Sequence, residues 1–299
     1  MKIAIIQTRS GIGDMCIFLP AVHFIAKNYN TKVTLITSKR SKSKDFLFQD
    51  HLIEDIIYYD EKNNFKSFRL LKTLFLKKFS KVFIMHFSLR YFLISILSLS
   101  KKTFFYGILK NSENISSYLN KKISIWLKKD NLELPCKIFF KTEHNNNNNI
   151  IIGIGGSGLT KKWPVENYIN LLKRINEYNN KFKFIIAGGI EEESDKNLIL
   201  DNIKNTSIIS LCDKSLKESI KYLPGSKLYV GNDTGFMHLC GSLGVRAFGL
   251  FGDTPINYTD YNFLINPIIP DGYETISHND RAIKKISVSK VFQSIKNFI

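Results

Sequence analysis

The sequence predicts an α/β protein made of two doubly wound domains facing each other across a cleft. Three observations lead there. Short apolar runs of strand length alternate with longer helical patterns, the signature of a parallel sheet covered on both faces. The alternation stops at a polar tract, Asn145–Asn149, and then restarts. Glycine-bearing turns sit between strand and helix in both halves, where open α/β sheets bind ligands.

In the first half, Ile3–Ile6, Val33–Ile36, Ile53–Tyr58 and Val82–Met85 read as strands. Met15–Ala26, Phe65–Phe79, Leu89–Leu99 and Ile115–Leu127 read as helices. The five asparagines after His144 read as a linker, because such a tract cannot join a core. Beyond it Ile150–Ile154, Phe182–Ala187, Thr206–Ile209, Leu228–Val230 and Ala247–Phe251 read as strands. Val165–Tyr178, Glu192–Ile203, Leu216–Leu223 and Leu239–Leu243 read as helices. A last helix, Val288–Phe298, has no strand after it and is expected to pack back toward the first domain. The expected division is 1–149, 150–286 and 287–299.

Length and composition fit this plan. A chain of 299 residues, 44% hydrophobic, suggests two domains with real cores. Arg9 and Asp14 interrupt any N-terminal leader, and the longest apolar run, Tyr91–Leu99, is too short to cross a bilayer. Cys16, Cys136, Cys212 and Cys240 are widely spaced, so a reducing cytoplasm is expected and structural zinc is not. The net charge of +17 is uneven: residues 1–149 hold 25 Lys and Arg against 11 Asp and Glu, the rest 18 against 15. The first half therefore favours an anionic partner. Only 7 of the 43 basic residues are Arg, so a lysine-rich composition accounts for part of the charge, though not for its division.

The most informative stretch is Gly231-Asn232-Asp233-Thr234-Gly235-Phe236-Met237-His238. A Gly/Asp/Thr turn between strand and helix gathers free backbone N–H groups at a positive dipole end, a natural phosphate site. Asp233 or Thr234 reads equally as a plain helix cap, and His238 as an ordinary partly buried histidine. Four other loops carry chemistry. Gly11-Ile12-Gly13-Asp14 is a poor dinucleotide fingerprint, and Asp14 is either a first-turn carboxylate or a general base. Gly153 to Pro164 combines a flexible backbone with Lys161 and Lys162, or is a solvated loop anchored by Trp163; it is not a Walker A loop. Ala187-Gly188-Gly189-Ile190-Glu191 ends in an acid suited to ribose hydroxyls, or merely starts an acidic helix. In Asp213-Lys214-Ser215-Leu216, Ser215 is a candidate cap and Lys214 a candidate for a base pocket.

Taken in order, these loops resemble the bacterial lipopolysaccharide heptosyltransferase family, glycosyltransferase family 9. The resemblance rests on Gly13-Asp14 with Leu19-Pro20-Ala21, on Lys161-Lys162-Trp163-Pro164 and on Asp213-Lys214-Ser215-Leu216. It continues through Asp233-Thr234-Gly235-Phe236-Met237-His238 and Leu250-Phe251-Gly252-Asp253-Thr254-Pro255. It implies a GT-B fold and an inverting, metal-independent transfer from ADP-heptose to the lipopolysaccharide inner core. By resemblance Asp14 is the catalytic aspartate. Lys161, Lys162, Asp233, Thr234, Gly235 and His238 hold the donor diphosphate and sugar, and Glu191 and Lys214 the nucleoside. No metal or other cofactor is expected. The expected acceptor is a phosphorylated glycolipid, met by a cytoplasmic protein that contacts the anionic inner membrane leaflet peripherally.

The sequence departs from the family where Leu239-Cys240-Gly241-Ser242 replaces the alanines that usually follow the motif histidine. Between residues 38 and 145 no motif matches, so the acceptor is the least specified partner. Other readings are a related sugar-nucleotide enzyme with another donor or a protein acceptor, a non-catalytic relative, and a basic nucleic-acid-binding protein. The last lacks any recognisable binding module, so no nucleic-acid partner is expected.

Overall fold

A computed structural model describes residues 1–60, 66–85, 89–98, 102–105, 115–129, 137–144, 147–204 and 207–299. Phe65, Leu99, Cys136, Asn145, Asn146 and Thr206, which figure in the expectations above, lie outside the described residues. The chain divides into two compact units, Met1–Phe139 and Phe140–Ile299.

The first unit runs β1 (Ile3–Gln7), α1 (Ile12–Asn28), β2 (Val33–Thr37), α2 (Ser43–Phe46), β3 (Ile53–Tyr58), α3 (Lys66–Lys77), β4 (Lys81–Ile84), α4 (Leu89–Leu97), β5 (Lys102–Phe105) and α5 (Ile115–Leu127). Among the described residues its strands form one parallel sheet in the order β3-β2-β1-β4-β5. β1 and β2 are buried at every position, as strands covered on both faces must be. Ala4, Ile6, Ile36, Val82 and Ile84 on one face pack against Leu70 and Leu74 of α3 and Tyr91 and Ile94 of α4.

The second unit runs β6 (Asn149–Gly153), α6 (Val165–Tyr178), β7 (Lys183–Ala187), α7 (Glu193–Asn202), β8 (Ile208–Ser210), α8 (Leu216–Ser219), β9 (Leu228–Asn232), α9 (Gly235–Ser242), β10 (Ala247–Leu250), β11 (Ile265–Ile268) and α10 (Val288–Ile295). Its parallel sheet has the order β11-β10-β9-β6-β7-β8. Both sheets therefore reverse direction beside their first strand, between β1 and β4 and between β6 and β9. Those are the switch points at which α/β sheets bind ligands.

Several expectations need correction. Asn149 is not linker but the buried first residue of β6, because a strand is joined through its backbone. Its carbonyl accepts from the Lys227 N–H, and the carbonyl of Asn148 from that of Lys183. The helix expected over Leu216–Leu223 is one α-turn continued by a 3-10 turn, Ile220–Tyr222. α9 starts at Gly235, earlier than its apolar run suggests. Two edge strands have weak patterns and were not anticipated: β5, and β11 with Asn266 and Pro267 inside it. An edge is where a sheet tolerates proline. α10 packs on α6, with Phe292 against the Tyr178 ring and beneath the Arg174 guanidinium. Among the described residues no helix is long and apolar enough to cross a membrane.

Candidate functional site

The switch point of the second unit is built around Asn232, the last residue of β9 and fully buried. Its Oδ1 accepts from the Trp163 backbone N–H at 3.0 Å and the Tyr168 hydroxyl at 2.9 Å. Its Nδ2 donates to the carbonyls of Ile154 at 3.1 Å and Gly155 at 2.8 Å. One side chain thus ties both ends of the Gly-rich loop after β6 to the end of β9. Trp163 fixes the far end, its indole N–H donating to the Ile286 carbonyl at 2.8 Å and its ring meeting Tyr168 edge-on. β6 and β9 approach closely here. A Cβ on Gly231 would strike the Gly153 backbone, and one on Gly153 would strike the buried Tyr229 hydroxyl. Only glycine fits at either position.

Beyond Asn232 the chain enters α9. Thr234 is the N-cap residue, but its side chain forms no capping bond and instead meets the Tyr229 hydroxyl at 3.3 Å. The first intrahelical bond is His238 N–H to the Thr234 carbonyl. The amides of the first turn therefore point outward from a positive dipole end, as an anion site requires. Asp233 and His238 are paired beside it, Nε2 to Oδ1 at 3.5 Å, while His238 Nδ1 and the Tyr261 hydroxyl are 2.8 Å apart. Burial pushes the Asp233 carboxyl upward. The His238 bond and charge, a hydrogen bond from Thr254 and the charge of Lys161 outweigh it and hold Asp233 below the usual carboxylate range. Lys161 thus acts on Asp233 from the loop after β6. Thr160 donates to Asp253 Oδ2 at 2.6 Å, linking the loop to the end of β10. Asp253 Oδ1 is buried with no hydrogen-bond partner among the described residues.

The two lysines of the loop separate. Lys161 closes the 3-10 turn Leu159–Lys161. Lys162 instead makes a 2.6 Å ion pair with Glu192 Oε1, a carboxylate that is almost fully buried. Glu192 Oε2 also accepts from the Gly189 N–H at 2.7 Å, so this acid braces the loops after β6 and β7 together. Glu191, the expected ribose acid, lies in the same 3-10 turn (Ile190–Glu192) and is exposed. Lys214 is half-buried. Next to it Ser215 caps α8, with reciprocal bonds to Glu218.

In the first unit the loop after β1 leads through Gly11 into α1, and Asp14 stands in the first helical turn. Its carboxylate is partly exposed, with Arg9 Nη1 at 3.6 Å from Oδ1. Among the described residues no group of three or more His, Cys, Asp and Glu could hold a metal ion. Cys16, Cys212 and Cys240 are buried.

Residues 120–289 match the model of glycosyltransferase family 9 (heptosyltransferase), more than half of the chain. The chain belongs to glycosyltransferase family 9. Lipopolysaccharide heptosyltransferase 1 of Campylobacter coli is 28% identical over 159 residues, 50% of this chain and 46% of that protein. The chain thus matches about half the length of this curated relative. Among solved structures, E. coli heptosyltransferase WaaC with ADP has a TM-score of 0.80 at 14% identity, covering 100% of both chains. E. coli ADP-heptose LPS heptosyltransferase II has 0.75 at 16% identity, covering 100% of this chain and 98% of its own. The fold is accordingly the α/β, GT-B type of those structures.

Within this family member, Lys161, Lys162, Glu191, Lys214, Asp233, Thr234, Gly235 and His238 all fall inside the matched segment, and Asp14 lies outside it. The structure gathers Lys161, Asp233, Thr234, Gly235 and His238 at the ends of β6 and β9. Sequence reasoning missed Asn232 and Glu192. The first looks like the end of a strand, and the second was hidden in a run of three glutamates whose burial no spacing distinguishes.

Proposed function

We propose that the protein is an inverting, metal-independent glycosyltransferase that moves a heptose from ADP-heptose onto a phosphorylated glycolipid of the lipopolysaccharide inner core, whether a lipid A/Kdo or a heptose acceptor. The observation that carries this reading is the anion cradle of the second unit: outward amides at the start of α9, next to an Asp233 carboxyl on which the Lys161 charge acts. In this reading Asp14 accepts the proton of an acceptor hydroxyl. The hydroxyl oxygen forms a bond to the anomeric carbon as the bond from that carbon to the diphosphate breaks. A single displacement inverts the configuration, and ADP departs with the bonding electrons. Lys161 and the Thr234-Gly235 amides meet the charge growing on the diphosphate, the part a divalent cation plays in other transferases. Asp233 and His238 contact the sugar side of the donor, and Glu191 and Lys214 its nucleoside. Lys162, held by Glu192, shapes the diphosphate loop. The acceptor's setting implies a cytoplasmic enzyme in peripheral contact with the anionic inner leaflet.

The deciding experiment is calorimetric titration with ADP, UDP, GDP and CDP in the presence of EDTA. Selective, metal-free ADP binding is the expected result. Preference for another nucleotide would overturn the donor, and binding only with added divalent metal would overturn the metal-independent diphosphate site.

A further inference from the structure

α3 and α4 pack side by side on one face of the first sheet, and each buries only one stripe there. α3 buries Leu70 and Leu74, α4 Tyr91 and Ile94. Their outward stripes are also apolar. On α4, Leu89, Leu93, Ile96 and Leu97 are 50–67% exposed. Their spacing of i, i+4, i+7 and i+8 places them in one continuous band opposite the buried one. On α3, Phe68, Phe75 and Leu76 are exposed along the corresponding side. A helix in the outer layer of a soluble α/β unit ordinarily turns charge outward. A large outward apolar band marks a partner.

The charge along this part of the sequence identifies the partner. From Lys62 to Ser112 the sequence has eleven Lys and Arg and not one Asp or Glu. Lys72 sits on the band itself, between Phe68 and Leu76 one turn away on either side, and is exposed. Arg90 is exposed at the start of α4. Long cationic side chains flanking an apolar stripe can lay their stems along it and raise their heads to anionic groups. A second copy of the chain is the poorer fit, since a two-fold interface would bring Lys72 and Arg90 against their own copies.

We infer that the exposed face of α3 and α4 is a bilayer-insertion surface that buries its Leu, Ile and Phe side chains among the acyl chains of an anionic membrane. This deepens the glycolipid-acceptor reading and rests on it for the biological setting. Both helices belong to the first unit, whose motifs specify the acceptor least. Insertion would hold the enzyme at the surface where a lipid-anchored acceptor is presented. The contact is hydrophobic as well as electrostatic, so salt should weaken it without abolishing it.

The test is co-sedimentation of the full chain with vesicles of phosphatidylglycerol and phosphatidylethanolamine, and with phosphatidylcholine vesicles as the uncharged control. Leu93→Glu/Ile96→Glu and the milder Leu93→Ser/Ile96→Ser alter exposed side chains only, and urea unfolding verifies that each variant folds. The wild type is expected to bind the anionic vesicles, with residual binding in high salt. Both double variants should bind about tenfold more weakly or worse, with ADP affinity unchanged. Wild-type binding that salt abolishes, or that both folded variants retain, would overturn insertion. So would a concentration-dependent dimer dissolved by the same substitutions, which would give the face to a second copy. Vesicle binding with no ADP binding would leave the surface standing and count against the donor reading instead.

Discussion

The two units share the strand order 3-2-1-4-5 in local numbering, yet they finish their switch points differently. In the second, Asn232 engages four partners and Glu192 is tied to Lys162 and to the Gly189 amide. In the first, the Gln7 side-chain amide and the Thr8 and Thr37 hydroxyls, at the strand ends themselves, are buried with no partner among the described residues; in the second the atoms so placed are Asp253 Oδ1, Ser242 Oγ and Asn262 Nδ2, none of them in the Asn232 or Glu192 networks. Gln7 and Thr37 are register partners at the ends of β1 and β2, so two of these groups share one sheet face. A buried network with all its partners fixes a loop before any ligand arrives. One that lacks partners has capacity left for water or ligand. Under the proposed function, the contrast suits a rigid site for the nucleotide in the second unit and an adaptable one for the acceptor in the first.

The largest effect should come from the sparse unit. Asp14→Asn keeps the shape of the side chain and removes its basicity, and general-base loss typically costs about 10²–10⁴ in rate. Turnover of ADP-heptose should fall by that order while calorimetric ADP affinity stays within about twofold, because ADP belongs to the other unit in this reading. An equal loss in both measurements would erase the division of labour. In the second unit Asn232→Ala should act on stability as well. It strands the Trp163 amide and the Ile154 and Gly155 carbonyls, while the Tyr168 hydroxyl keeps the Gly153 carbonyl. At about 1–3 kcal/mol for each of the three stranded buried groups, a loss of at least roughly 3 kcal/mol is expected in urea unfolding, together with loss of ADP binding. A change below about 1 kcal/mol would mean that water replaces the clamp.

A smaller effect separates the adjacent lysines. Lys161→Ala should raise the donor KM and lower kcat, as removal of a charge-stabilising donor does. Lys162→Met should act through Glu192. A double-mutant cycle with Glu192→Gln should then show a coupling of about 1–3 kcal/mol in stability, and the same cycle between Lys161 and Glu192 close to none. Coupling of equal size in both cycles would show the loop responding as one body to any lost charge.

How much of this was legible in the sequence follows the same contrast. Strand-length runs such as Ile53–Tyr58 and helical periods such as Val165–Tyr178 were readable because burial imposes those periods. The glycines and the Asp233-Thr234-Gly235 turn were readable because backbone geometry restricts which residues fit. β5 and β11 were not, since edge strands need only one paired side and their sequences carry little pattern. Glu192 was not, since its neighbours Glu191 and Glu193 have the same chemistry and only packing decides which one turns inward. Asn232 has no role legible in its own motif, because its four partners come from chain segments 64 to 78 residues away.

The smallest expected effect is on pH dependence and concerns Asp233. Its carboxyl lies below the reference of 3.8, because His238, Thr254 and Lys161 together overcome the upward push of burial. The unfolded chain therefore binds this proton more readily than the folded one. A depressed carboxyl contributes stability that is fully present above the unfolded pKa and is lost as pH falls through the folded one. The window is acidic, opening at about pH 5 and extending downward. Urea midpoints measured from pH 6 down to pH 3 should fall more steeply for the wild type than for Asp233→Asn, which has no proton to take up at this position. Other carboxylates titrate in both proteins, so the difference between the two slopes isolates this one. Parallel slopes would mean that the contact with His238 orders the start of α9 without stabilising the fold.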